Sequence, residues 1–297
     1  MATNFNDKLY GQTAFQSLVD YLTPISAFAT DISSEVRGEG DAVIVPLFGA
    51  IATTTFTQST TVYEQSGGLI SAITVNLDKR RITPMDITLQ QLAESSNVGR
   101  WDQYAMQLGK SMAQTVLTDI WSLLLTTNFG AAILTTAPTS YDRAELIEAR
   151  KQLLKAGVRG DKTVLVDMDV EASLLGDTNL VLALNRGDGG ATLTEGQLGR
   201  LFGMNLLSSD VLPLNGISLC GFATGKNAIA VAMRSLGDFL PSGDYEAVEN
   251  YTDDETGISA LYTRHWSRAQ GKYFANLHCL YGYSLAVTTE MRLFTKP

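Results

Sequence analysis

The chain has 297 residues, 45% hydrophobic and 18% charged, which is enough apolar material for a folded core. Its 31 acidic residues outnumber 22 basic ones for a net charge of −9, the opposite of the basic stripe that grips phosphates, so sequence-specific nucleic-acid binding is disfavoured. No apolar run approaches the ~20 residues of a membrane helix, and residues 1–5 lack a signal peptide's charged head, so folding in a cytoplasm is expected.

Residues 1–40 read as an N-terminal arm. Phe15, Leu18, Val19 and Leu22 recur at helical spacing, and Pro24 interrupts them. Gly38-Glu39-Gly40-Asp41 then turns the chain into a strand. Residues 41–48 are apolar on both pleat faces (Val43, Val45 and Leu47 against Ile44 and Phe48), as in a strand inside a core. From residue 53 to 61 the chain is rich in threonine, which favours extended backbone but gives a core little to bury. Gln65-Ser66-Gly67-Gly68 is a turn, and residues 69–77 return with partial alternation. Two arms of about 18 residues project up to ~60 Å at ~3.3 Å per residue. An isolated ribbon of two strands is marginal in water, so a surface outside the subunit is expected to cover it. Lys79, Arg80, Arg81 and Pro84 lead out of the hairpin.

Residues 94–128 read as one long helix. Val98, Trp101, Ala105, Leu108, Met112, Val116, Ile120 and Leu124 recur at three- and four-residue steps, Ser95 or Ser96 can cap the start, and no proline occurs until Pro138. About 30 such residues make a rod of ~45 Å, whereas a compact chain of this length is only about 50 Å across. An elongated, plate-like subunit completed by its neighbours is expected.

Next, Asp142 and Glu145 form a capping box, Ala144, Ile147, Lys151 and Leu154 make one stripe with Leu146 and Leu153 beside it, and Gly157 stops the helix. Residues 163–167 are a buried strand and 170–175 a short helix. A glycine-rich loop at 185–190 precedes a short helix at 195–203, and strands follow at 204–208, 216–222 and 228–233. Residues 238–255 are acidic without one basic side chain and read as a solvated loop; 257–294 are aromatic and strand-like.

Chemistry finds little material. His265 and His278 are the only histidines, and His278 sits in an apolar strand as a packed, hydrogen-bonded side chain. Cys220 and Cys279 look like small buried hydrophobes. Asp161, Asp167, Asp169 and Glu171 read as solvated charges at a strand end. The Gly187-Asp188-Gly189-Gly190 loop lacks the lysine and hydroxyl of a phosphate-binding loop. No catalytic, cofactor or metal site is expected, and the chain does not read as an enzyme; an α/β enzyme with an unrecognised site is the competing class.

The order of these elements resembles the major capsid (coat) proteins of tailed bacteriophages, whose shell fold is shared with herpesvirus capsids and encapsulins. The local strings agree: residues 142–158 followed by 163–167; Gly196, Leu198, Gly199, Leu201 and Gly203 before Leu212-Pro213; and 226–234. The resemblance covers about residues 35–297. It implies an α+β, tailed-phage major capsid fold. Its parts would be an N-terminal arm (1–40), an extended loop (41–84), a peripheral domain with a spine helix (85–138), an axial domain (139–250) and C-terminal strands returning to the peripheral domain (251–297). It implies self-assembly into pentamers and hexamers of an icosahedral shell that encloses the phage genome in the virion, after assembly in the bacterial host cytoplasm. The implied partners are further copies of the chain, a portal, a separate scaffolding protein (only about 40 residues precede the hairpin), optionally a decoration protein, and double-stranded DNA held without sequence specificity. No membrane and no cofactor are implied. An encapsulin-like compartment shell is the alternative within the fold. Thr57, Thr60, Thr61, Tyr63, Lys79, Arg80 and Arg81 are the candidate inter-subunit contacts.

Overall fold

Tyr10, Ala14, Leu18 and Leu22 fall on one helical stripe, and that stripe is buried. They belong to the first element of a computed structural model that describes residues 7–31, 42–48, 70–93, 101–178, 180, 199–236, 245–253 and 256–297. The chain runs α1 (Asp7–Leu22), α2 (Ile25–Phe28), β1 (Ala29–Asp31), β2 (Ala42–Phe48), β3 (Ile70–Asn76), β4 (Lys79–Thr88), α3 (Leu89–Ala93), α4 (Trp101–Trp121) and α5 (Thr126–Phe129). It continues through α6 (Arg143–Lys155), β5 (Lys162–Asp167), α7 (Met168–Gly176), β6 (Arg200–Leu201), β7 (Met204–Ser209), β8 (Leu219–Gly225), β9 (Ile229–Arg234), β10 (Ala247–Thr252), β11 (Ser259–Ser267), β12 (Lys272–Leu285) and β13 (Met291–Thr295).

Among the described residues the strands form three sheets. The first has the order β1-β9-β12-β11-β10. Its axis is β12, whose 14 residues are long enough to hold β4 along Lys272 to Tyr281 and β9 along Leu280 to Leu285. The second sheet is β13-β8-β5-β7-β6, with β5 and β7 parallel. The third is the β2-β3 ribbon, paired from Ala42↔Asn76 to Phe48↔Ile70.

Two cores follow. In the larger, α1 and α4 pack on one face of the first sheet, joining Leu18, Met112, Val116 and Ile120 to Leu277, Cys279 and Tyr281. Gly109 makes the helix crossing close, because a Cβ there would lie 2.1 Å from the Ala14 carbonyl oxygen. Between residues 10 and 29 the expected arm therefore contributes side chains to the core. The second core lies between α6, α7 and the second sheet, with Leu146, Ala149, Leu153, Val164, Val166, Val170 and Leu174 inside.

Several sequence expectations change. The long helix ends at Trp121, not at 128, and α5 is a separate turn. At ~1.5 Å per residue its 21 described residues span about 32 Å, and the expected start at 94–100 lies outside the described residues. A distant side chain braces its end: Asn215 donates from Nδ2 to the carbonyl oxygen of Trp121, which also accepts from Leu124 N, and to that of Leu124. Residues 79–88 do not merely lead out of the hairpin; they form β4, and Pro84 fits because, among the described residues, β4 pairs on one side only. Arg200–Leu201 are strand, closed into a hairpin by Phe202 and Gly203 at positive φ. Part of the acidic tract, 247–252, is an edge strand. The capping box of α6 is present, with Ala144 N donating to Asp142 and Asp142 N donating to Glu145. The face buried is Leu146, Ala149 and Leu153, while Ile147 and Leu154 of the expected stripe stay exposed. The loop at 185–190 lies outside the described residues.

Candidate subunit-contact surfaces

The ribbon has the barest surroundings. Val43 and Val75 on one face rest on Ala230 and Ala232 of β9, a bed of small side chains that lets the ribbon approach the sheet. On the other face Ile44 is 65% exposed, so β2 is not the doubly buried strand its composition suggests. A ribbon with one thin packed face needs further cover to be stable. Thr57, Thr60, Thr61 and Tyr63 fall between the two strands and lie outside the described residues.

Lys79, Arg80 and Arg81 do not act as one cluster. They open β4, so their side chains alternate between the faces of the sheet. Lys79 sits 3.5 Å from Asp78 in the open. Arg80 is exposed on the opposite face. Arg81 turns inward to its own subunit, donating from Nε at 3.0 Å and Nη2 at 2.7 Å to Asp119 Oδ2 on α4. The Tyr281 hydroxyl donates to the same oxygen. Hydrogen bonds to Asp119 and Tyr281 reinforce the charge of Arg81, while burial and then Asp119 push the Tyr281 phenol upward. This three-residue knot, which the sequence reading missed, ties the ribbon's exit strand to the long helix and to β12.

A second exposed surface lies on α6. Ile147 is 49% and Leu154 47% exposed, with Arg143, Lys151 and Lys155 along the same helix. On α7, Met168 is exposed beside Asp169, with Glu171 in the same turn. Lys151 pairs with Glu148 at 2.7 Å, so α6 presents apolar groups among mixed charges, and α7 apolar and acidic ones.

The reactive side chains are sequestered. His278 is 4% exposed and joined through Nε2 to Thr263 Oγ1 at 2.8 Å. Burial, then Arg80 and His265, lower its pKa to about 4. Burial pushes the Cys279 thiol up to about 12 and raises that of Cys220, so both sit as inert hydrophobes. Asp167 caps α7 and pairs with Lys296 at 3.2 Å, and the exposed Asp169 sits 3.9 Å from the same ammonium. Among the described residues no group of histidine, cysteine and carboxylate side chains could hold a metal ion. No described helix is long and apolar enough to cross a membrane.

Comparison with known proteins agrees with this geometry. The family model described as phage capsid protein matches residues 73–268, more than half of the chain. Among curated proteins none matches. Similar solved structures include one from Mycobacterium phage Che8, 15% identical over 86% of this chain and 85% of that one, with a TM-score of 0.56. The capsid of the cyanophage P-SCSP1u is 14% identical over 91% and 86%, also at 0.56. The mature capsid of bacteriophage PhiM1 is 14% identical over 92% and 86%, at 0.54. At such identities these structures establish the fold. The chain belongs to the phage capsid protein family: it is a structural, major capsid protein of the phage virion shell.

Proposed function

We propose that this subunit builds an icosahedral shell from pentamers and hexamers, and that the β2-β3 ribbon is the extended loop by which each copy overlaps the next. The observation that carries this reading is the ribbon itself: a separate two-stranded sheet, packed along one face on Ala230 and Ala232 and bare at Ile44. A neighbouring copy supplies the missing cover. Such head-to-tail contacts close into rings when the rotation fits. In this reading α1, α4 and the first sheet form the peripheral domain, and α6, α7 and the second sheet the axial domain. Thr57, Thr60, Thr61 and Tyr63 touch the neighbour, as do Lys79 and Arg80, whereas Arg81 serves its own subunit. The exposed Ile147 and Leu154 of α6 meet the exposed Met168 of α7 on the next copy, an arrangement favoured by burial of their apolar surface.

A separate scaffolding protein and a portal act in assembly within the bacterial cytoplasm. Packaged DNA is enclosed by a net-acidic wall with weak, sequence-independent contact at most. Deleting residues 58–70 tests the reading. The expected product is a folded subunit that sediments as a monomer and forms no particles. Normal particles from that variant would contradict it.

A further inference from the structure

Two adjacent residues of β12 grip the ribbon's base from opposite sides of the sheet. Successive side chains of a strand point to opposite faces. Tyr281 points toward α4, where its hydroxyl donates to Asp119 Oδ2 beside the two donors of Arg81. Gly282 points the other way, toward the ribbon. There the backbone of Asn76, the last residue of β3, passes so close that a Cβ on Gly282 would stand 2.0 Å from the Asn76 carbonyl oxygen, 2.7 Å from its carbon and 3.2 Å from Leu77 Cα. Only a residue without a side chain permits that crossing. Three residues after Asn76 the chain is already in β4, with Lys79 paired to Tyr281. Ribbon, exit strand, sheet and long helix therefore meet at one point.

We propose that Gly282 and Tyr281 form a two-sided fulcrum that fixes the direction in which the β2-β3 ribbon leaves the subunit, and through it the angle between neighbouring copies. Gly282 sets the height and tilt of the ribbon over β12 and β9. Tyr281 and Arg81, through Asp119, lock the start of β4 to α4, so the two-residue link, Leu77 and Asp78, joins the ribbon to a fixed base. Both are positioning residues. The role of the ribbon in joining copies rests on the shell reading above; its direction in the isolated subunit does not.

Spin labels on Ile44→Cys and Thr115→Cys measure the ribbon-to-α4 distance in unassembled subunits, and the buried native cysteines leave the introduced ones as the reactive pair. In the parent subunit a single narrow distance distribution is expected. Gly282→Ala forces the Asn76 oxygen to retreat from 2.0 Å to the 3.4 Å of ordinary contact, so the mean distance shifts by on the order of 2 Å. Tyr281→Phe keeps the close crossing and removes one hydroxyl, so the mean holds and the distribution broadens; it serves where Gly282→Ala fails to fold. Parent-like distributions in Tyr281→Phe and in any folded Gly282→Ala overturn the fulcrum. Particles of either variant are then imaged. Mixed diameters or open sheets are expected, whereas uniform particles of parent diameter, despite an altered distance, overturn the link to inter-copy angle. Failure of the parent chain to form particles strikes the shell reading alone, because the distance measurement still decides the fulcrum.

Discussion

The side-chain amide of Asn215 donates to the carbonyl oxygens of Trp121, at 2.7 Å, and Leu124, at 3.1 Å, and so braces the end of the long helix from a turn more than ninety residues away. Asn215 itself holds φ at 49°, a left-handed conformation that asparagine accepts more readily than most side chains. Asn215→Ala should cost about 1 kcal/mol, since the Leu124 carbonyl loses its donor while that of Trp121 keeps Leu124 N. Asn215→Asp should cost more, because a carboxylate would face both oxygens. Denaturant midpoints of the two variants check the order; equal midpoints with the parent would remove the cap from the account.

Gly109 decides a sign. Glycine to alanine inside a helix ordinarily gains about 1 kcal/mol from backbone entropy. Here the added methyl would lie 2.1 Å from Ala14 O and 2.8 Å from Leu18 N, both backbone atoms of α1. Gly109→Ala should therefore destabilise, by about 1–3 kcal/mol, with faster proteolysis of α1. A stabilised variant would mean that α1 is not seated on α4 as described.

Local signals carried much of the fold. The capping box at Asp142 and Glu145, the stop at Gly157 and the buried run at 163–167 could be read from neighbours in sequence, and all three stand. What escaped depends on distant residues. Near Trp121 the sequence offers only Ser122, which donates to Asp119 O, and Asn128, which donates to Leu123 O; the bonds from Asn215 come from far along the chain. The helical stripe at 144, 147, 151 and 154 is as regular as its neighbour, and only the placement of the second sheet selects Leu146, Ala149 and Leu153 for burial. Arg81 looked like one member of a basic triplet until strand pairing put it on the face toward Asp119. Shell assembly was legible from element order, while the fulcrum at Gly282 was not, because a glycine in an aromatic strand does not reveal which backbone crosses it.

His278 predicts a pH dependence. Its folded pKa, lowered to about 4 by burial and then by Arg80 and His265, lies below the ~6.5 of an exposed imidazole. Below pH 6.5 the unfolded chain takes up a proton that the folded one refuses, so this contribution to stability is intact above that pH. It is lost as pH falls from about 6.5 to about 4, by roughly 3 kcal/mol. Urea unfolding across that range should show the slope, and His278→Gln should flatten it. An unchanged slope in the variant would assign the effect elsewhere.

Ile147 and Leu154 separate folding from assembly. Both are about half exposed, so changing each to Asp should alter subunit stability by no more than about 0.5 kcal/mol. Their contact with the next copy's α7 would meanwhile place aspartate against Asp169 and Glu171. The double variant should melt like the parent and assemble poorly, as read by light scattering. Unimpaired assembly would withdraw α6 from the interface.

Electron microscopy of the expressed full chain, with sedimentation velocity on the same sample, tests the shell assignment most directly. The account predicts rings of five and six subunits, curved sheets or closed particles in the megadalton range. A single species of one or two subunits, unchanged as concentration is raised and unchanged in the presence of a scaffolding partner, would contradict it.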